Sequence, residues 1–545
     1  RRPGLREAPR SRRAPSIRTA SREPPQSSRA VPFSLFPFPF SLVVLLSAFC
    51  LLPACCSAAD PVPGAAHWYP PAFSARNPKD PALIRGNGVV RWRNFDTAAF
   101  DEAARLQKPV MLFITGDWCQ HGRRMERIAF SDVEVATRLN ELFVPVLLHR
   151  DQRPDVELRM QQAVQMISGN RGLPLTLFLT PQGRVFFGST YLTADDDVAA
   201  ARPGLRAILQ QSLLLWRDQR NDVLEQARQL EAELSKSEPQ APLDVPPGIL
   251  TQTVEGIRTA LSAPESGGRF PAPRALELLL AHHVRTKDKE SLSVAAQVLE
   301  SMLRGGIYDQ LVGGFHRCSI DPLWRLPRFE KLLVTSAEMA PHCLHAWQLT
   351  ANPRFRAALE QTLDFWLGQS DAEKTFFYNA IAGGSSDIDD GDVYTWTVRE
   401  LEAVLKDDLD CRLARAYFDV LESGELSATA PQRNVLYEAM TLEAAAQSCG
   451  LKPGDAQQRL LRIKQQLLAA RRRRPAPTLD RNLCFDSNAL FSAALIECGV
   501  ALNNDLYLQQ GLKTLRALIQ HGVGDNGTSH LLRGAASAPA LAQDE

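Results

Sequence analysis

The spacing of apolar positions changes character along the chain. From about residue 96 to 235, short runs of consecutive apolar residues alternate with segments whose apolar residues return every three or four positions. The runs predict buried strands and the segments predict helices. "DTAAFDEAARLQK" sets Ala98, Phe100, Ala103, Ala104 and Leu106 roughly on one helical face. "PVMLFITG", bounded by Pro109 and Gly116, predicts a buried strand, and a helix follows from about Cys119. "SDVEVATRLNELF" predicts another helix, opened by Ser131 and Glu134 in capping-box spacing. "VPVLLHR" is a second buried strand, and "PDVELRMQQAVQMI" a helix with Pro154 near its first turn. "LPLTLFL" and "RVFFGSTY" are strands joined by the turn "TPQG", and a long helical stretch covers about 201–235. Strands separated by helices pair in parallel by crossover, and the final turn makes an antiparallel hairpin. A small mixed sheet flanked by helices, as in a thioredoxin-like fold, satisfies that order.

Beyond the Pro-rich linker 236–248 the patterns are almost entirely helical. Examples are "LELLLAHHVR", "SVAAQVLESMLRG", "FRAALEQTLDFWL", "DAQQRLLRIKQQLLAARRR" and "DLYLQQGLKTLRALIQHG". They come roughly in pairs, with no tight repeat, and predict a solenoid or a closed α/α toroid over 249–545.

Composition changes this picture mainly at the N-terminus. With 45% hydrophobic and 23% charged residues and a net charge of +1, the chain as a whole gives no signal for nucleic acid. Residues 1–30, however, hold nine Arg against two Glu amid Ser and Pro, and are expected to be disordered. The apolar run that follows ends in small residues and predicts a secretory signal within 1–59, with a linker over 60–85 before the α/β domain of 86–235. Two processing points fit, a cleavage after Ala58 and a lipobox-like "LPAC" that nominates Cys55 for lipidation. The run is also long enough for an uncleaved anchor. The expected location is therefore exported, periplasmic or membrane-anchored as a lipoprotein, with membrane attachment by this segment alone. Seven of the ten cysteines lie beyond it and are scattered singly, so no zinc ligand set and no cofactor motif is read.

The stretch "GDWCQHGRRME" carries the candidate chemistry. Cys119 sits where a strand runs into a helix, and a helix N-terminus lowers a thiol pKa. His121, Arg123 and Arg124 are expected to lower it further, and Asp117 to oppose them. The position three residues on, where a dithiol site has its second cysteine, is Gly122. Without a resolving thiol, Cys119 can form mixed disulfides with a small thiol or a protein partner but cannot complete a dithiol cycle. The competing view is a leftover cysteine with no chemistry. "SSDIDDGD" lacks the spacing of a calcium loop, and "RRRRP" at 471–475 is a charge run at a helix end.

Three segments resemble one family. They are "MERIAFSDVEVATRLNELFVPV" with "PLTLFLTPQGRVFFGSTY", "RGGIYDQLVGGFHRCSIDPLWRLPRFEKLL", and "GDVYTWTVRELEAVL". Over roughly 78–545 the chain resembles the spermatogenesis-associated protein 20 (DUF255) family. The resemblance implies a thioredoxin-like domain followed by an (α/α)6 toroid like those of sugar epimerases and glycosidases. It aligns Cys119 with the first cysteine of the family motif and Gly122 with the second. It implies that Trp118 and Pro174, the latter as a cis-proline, shape the redox face. It nominates Asp309, His316, Arg317, Asp321, Trp324 and Glu330 as a site at the toroid mouth, where a carbohydrate would bind. The family's His, Asp and Asn in the "PRFEKLLVTSA" segment are replaced by Arg328, Thr335 and Ser336, and the chain stops where further hairpins are expected, so the toroid is expected to be incomplete. Three functions follow as expectations. One is a family protein with at most monothiol chemistry at Cys119, one a carbohydrate-acting toroid, and one a non-catalytic binding protein.

Overall fold

The computed structural model describes residues 90–197, 202–236, 246–262, 267–385, 391–426 and 430–524, with 527, 528, 530 and 532. The basic stretch, the export segment with Cys55 and most of the acidic loop lie outside the described residues.

The first domain is a five-stranded mixed sheet in the order β1-β3-β2-β4-β5. Its strands are β1 (Arg93–Asn94), β2 (Val110–Thr115), β3 (Val144–His149), β4 (Leu175–Leu179) and β5 (Val185–Ser189). β3 runs parallel to β1 and β2, while β4 runs antiparallel to β2 and to β5. Side chains alternate across a strand, and β2 shows what that does here. Val110, Leu112 and Ile114 join one core cluster with Phe100 of α1 (Thr97–Leu106), while Met111 and Phe113 join a second on the opposite face. Every residue of β2 is buried, which is why it reads as an unbroken apolar run.

Helix α2 (Gln120–Arg124) leaves the end of β2 and passes into a π turn, Met125–Ala129. α3 (Val133–Leu142) is capped by Asp132, which accepts from the N–H groups of Glu134 and Val135. The expected Ser131 cap is not formed, because the Ser131 hydroxyl donates to Glu126 O at 3.0 Å. α4 (Pro154–Ser168) starts on its proline and ends at Gly169, at φ 71°. The single helix expected over 201–235 is two, α5 (Leu205–Asp218) and α6 (Arg220–Lys236), broken at Gln219.

The second domain begins with α7 (Ile249–Ser262), α8 (Pro273–Thr286) and α9 (Lys289–Arg304). α10 (Leu333–Thr350) and α11 (Pro353–Leu367) follow as a hairpin. These helices share one core with α16 (Phe485–Leu502) and α17 (Asp505–Gly522), including Leu276, Leu299, Leu359, Trp366, Phe491 and Tyr507. A second core, with Trp396, Leu401, Phe418 and Ile463, joins α12 (Val398–Leu405), α13 (Asp408–Phe418), α14 (Leu442–Ser448) and α15 (Pro453–Arg471). The fold is a thioredoxin-like α/β domain followed by a mainly helical domain built of successive helices around two cores. The polar segment 306–332 is not helical. It holds β6 (Cys318–Ser319), β7 (Pro327–Arg328) and β8 (Lys331–Leu332), and β8 forms a small sheet with β9 (Ala380–Ile381) and β10 (Leu479–Asp480).

Candidate functional site

The end of β2 turns through Gly116 and Asp117 into Cys119, whose N–H donates to Gly116 O at 2.9 Å. Cys119 is the N-cap residue of α2, yet its side chain is 3% exposed. It is covered by Trp118 and by Leu332 and Ala380 of the helical domain, with Leu173 and Val334 at the margin. Burial, reinforced by the carboxylate of Glu330, pushes its thiol up to about 11. The Gly122 N–H, Arg317 and Thr115 favour the thiolate and are outweighed. The helix-end position therefore does not activate this thiol, because the cost of burying the anion exceeds what one short helix returns. His121, expected to help, is itself held neutral, pushed down to about 4 by burial and by the charge of Arg328.

Gly122 is buried on the same turn. A Cβ built on it would stand 3.6 Å from Cys119 Sγ, the side from which a second thiol would attack, and would also run into Thr115 Oγ1. The resolving position is thus geometrically in place and occupied by a threonine hydroxyl. The Leu173–Pro174 peptide is cis and lies just before β4, with Leu173 against the Trp118–Cys119 cluster. Trp118 Nε1 donates to Asp151 Oδ2 at 2.8 Å, and its ring has the guanidinium of Arg317 at 5.2 Å and that of Arg150 at 5.8 Å.

The six residues nominated as one toroid site are divided among three places. Arg317 and Glu330 belong to the domain interface, 3.6 Å apart as an ion pair beside Trp118 and Cys119. Asp321 organises a loop, accepting from Ser319 Oγ at 2.6 Å and from the N–H groups of Leu326 at 2.7 Å and Leu323 at 2.8 Å. Trp324, at φ 64° and 3% exposed, packs under Arg269 in the same loop. His316 is buried, bonded through Nδ1 to Phe329 O at 2.8 Å and set edge-on to Tyr394. Asp309 alone of the six lines a cavity.

That cavity, about 760 Å³, lies between α11, the end of α15 and the strands around Ile381 and Leu479. Asp309 Oδ2 accepts from Lys331 Nζ at 2.9 Å, and its Oδ1 accepts from Arg471 Nη1 at 2.9 Å. Lys331 also donates to Gly313 O at 2.8 Å, which the chain presents by turning through Gly313 and Gly314 at φ 84° and 82°. Burial alone would raise the Asp309 carboxyl, but Arg471 and Lys331 hold it well below the usual carboxylate range. Burial lowers Lys331 to about 8 against the pull of Asp309. His316 is pushed down to about 3 by burial and by the charge of Lys331. Near neutral pH the cluster therefore holds a carboxylate, a neutral imidazole and two cations paired with that carboxylate. Lys331, Tyr394 and Arg471 were not legible as site residues. The run at 471–475 signalled basic charge, but nothing local indicated that Arg471 turns inward. Among the described residues no three His, Cys, Asp or Glu side chains gather as a metal site.

Residues 82–235 match the family described as "Thioredox_DsbH: Protein of unknown function, DUF255". The chain is 27% identical over 478 residues to spermatogenesis-associated protein 20 of Rattus norvegicus, covering 82% of this chain and 60% of the relative. It is 27% identical over 494 residues to spermatogenesis-associated protein 20 of Homo sapiens, covering 85% and 62%. The chain thus spans about 60% of the length of the curated relatives it matches. Among solved structures it is similar to a sugar epimerase from a ruminal bacterium, at 9% identity and TM-score 0.22 over 53% of this chain and 94% of that one. It is also similar to a family 76 glycoside hydrolase (mannosidase) from Bacteroides thetaiotaomicron, at 12% identity and TM-score 0.21 over 50% and 65%.

Proposed function

We propose that the chain, which matches the DUF255 family model over residues 82–235 and is similar to spermatogenesis-associated protein 20, is a thioredoxin-like domain protein that has no dithiol oxidoreductase activity and acts through binding. The observation that carries this reading is Cys119, sealed under Leu332 and Ala380 with glycine at the resolving position. A thiol held at about 11 is almost wholly protonated near neutral pH, and the thiolate is the nucleophile. Any chemistry left at Cys119 is monothiol and requires the two domains to part. The test is insulin reduction in the presence of dithiothreitol, with alkylation of Cys119 near neutral pH followed by mass spectrometry. Background turnover and labelling slower than that of a free cysteine are expected. Labelling faster than free cysteine would overturn the proposal.

A second reading, a carbohydrate-directed helical domain, is favoured by the cavity beside Asp309. Its electrostatics support binding over hydrolysis or epimerisation, since general acid–base work needs a group that titrates near the working pH and reaches the substrate. Within the Asp309 cluster Lys331 titrates nearest to neutrality but is fully buried and committed to Asp309 and Gly313. A panel of monosaccharides in a thermal-shift assay tests this reading, and a sugar-dependent rise in melting temperature without turnover is the expected result.

A further inference from the structure

We propose that the cavity of the helical domain binds an anionic sugar, one carrying a carboxylate or a phosphate; this rests on the carbohydrate-binding reading above and narrows it. The described lining residues include four arginines, Arg471, Arg472, Arg474 and Arg481, against two carboxylates, Asp309 and Asp364. The pairing is what makes the excess count. Asp309 is already shared by Lys331 and Arg471, so one carboxylate faces two cations. Asp364 is engaged by the Tyr507 hydroxyl at 2.7 Å. Arg474 is occupied in structure, donating to the carbonyls of Asp392, Val393 and Thr395 and stacking 4.0 Å over Trp396. Arg472 and Arg481 have no carboxylate partner among the described residues and stand exposed on the lining. They are the groups available to an incoming anion, and a guanidinium presents paired donors that match a carboxylate or phosphate edge.

The rest of the wall suits a ring. Phe365, Tyr394, Pro475 and Pro477 give the wall an apolar part, and Gln369 an amide for hydroxyl groups. A volume of about 760 Å³ falls within the ~300–1,000 Å³ typical of small-molecule sites. Asp309 and Arg471 lie on the lining, with Lys331 buried behind Asp309, so two cations face one carboxylate there.

Isothermal titration calorimetry of the full chain with glucuronate, glucose 6-phosphate and glucose tests the proposal. One or both anionic sugars should bind at least ~10-fold more tightly than glucose, and weaken with added salt. Whichever anionic sugar binds tighter identifies the group the site takes. The paired substitution Arg472→Ala and Arg481→Ala, at two exposed positions, should weaken that binding by ~10-fold or more while leaving the melting temperature unchanged. Equal affinity for glucose and both anionic sugars, or unchanged affinity in the double variant, would overturn the anionic preference and leave sugar binding standing. Absence of binding by all three sugars would remove both.

Discussion

Replacing Asp309 by Asn is expected to destabilise the helical domain by about 3–5 kcal/mol, the range for breaking a buried ion pair by removing one partner. The structure sets the size. Both carboxylate oxygens are used, each at 2.9 Å, and one goes to a lysine with no exposed surface. Asparagine keeps the shape and one acceptor but leaves two cations against a neutral amide. The deficit should also depend on pH. Lys331 titrates at about 8 in the folded protein, below the ~10.4 of an unfolded lysine. Between those values the unfolded chain holds the extra proton, so stability rises with pH across the window. Without Asp309 the folded-state pKa drops further and the window opens at lower pH. The variant then recovers on wild type by up to ~1.4 kcal/mol per pH unit as pH approaches 8. Urea unfolding near pH 6 and near pH 8.5 measures both effects. Lys331→Met and the double variant complete a cycle in which at least ~2 kcal/mol should be recovered. A deficit under ~1 kcal/mol near pH 6, or one that is the same at both pH values, would refute the account.

Three further outcomes are expected. Gly122→Ala should destabilise by about 1–3 kcal/mol through overpacking against Thr115, and adding Thr115→Ala should restore most of it; a fully stable single variant would show that the resolving position is not filled. Asp480 is raised to about 7 by burial and by the nearby charges of Asp151 and Asp117. The folded state thus keeps a proton the unfolded chain has already lost, and stability should fall as pH climbs from about 4 to about 7. Melting temperature against pH should show that fall in wild type and a flatter curve in Asp480→Asn, whereas parallel curves would contradict it. Arg317→Met removes the guanidinium that lies on Trp118 and pairs with Glu330, so it should cost ~3 kcal/mol or more, read by urea unfolding, and a loss under ~1 kcal/mol would contradict it.

Much of the α/β domain was legible because its signals are local. β2, β3 and β4 are runs of apolar residues that are buried throughout, and Pro154 and Gly169 punctuate α4 as their backbone preferences require. The errors arise where two local choices are equivalent in sequence. Ser131 and Asp132 are both good caps, and the π turn decides between them by taking the Ser131 hydroxyl. α13 escaped the pattern because charged residues are dense along it: Asp408, Arg412 and Arg415, with the buried Asp410, interrupt a core stripe of Leu413, Ala414, Tyr417 and Phe418. The site was less legible because its causes are distant. The basic residues near Cys119 suggested a thiolate, while the residues that bury the sulfur, Leu332 and Ala380, lie in another domain. The pairing of Asp309 with Arg471 likewise joins a loop to the end of a helix that no spacing rule connects.

The segment 328–332 explains why the redox face and the cavity belong to one account. Its residues alternate in direction, as extended backbone requires. Arg328, Glu330 and Leu332 face the thioredoxin-like domain: Arg328 acts on His121, Glu330 pairs with Arg317, and Leu332 covers Cys119. Phe329 and Lys331 face the other way, Phe329 stacking on Tyr394 and Lys331 reaching Asp309. The backbone between them is fixed, since Arg317 N–H donates to Glu330 O at 2.7 Å and β8 pairs with β9. A sulfur left exposed without a resolving partner would be trapped by whatever thiol it met. Covering Cys119 with the segment that carries Lys331 makes this face a structural contact that holds Lys331 against Asp309. The thioredoxin-like domain thereby lends rigidity to the strand that carries Lys331, and its thiol contributes by packing.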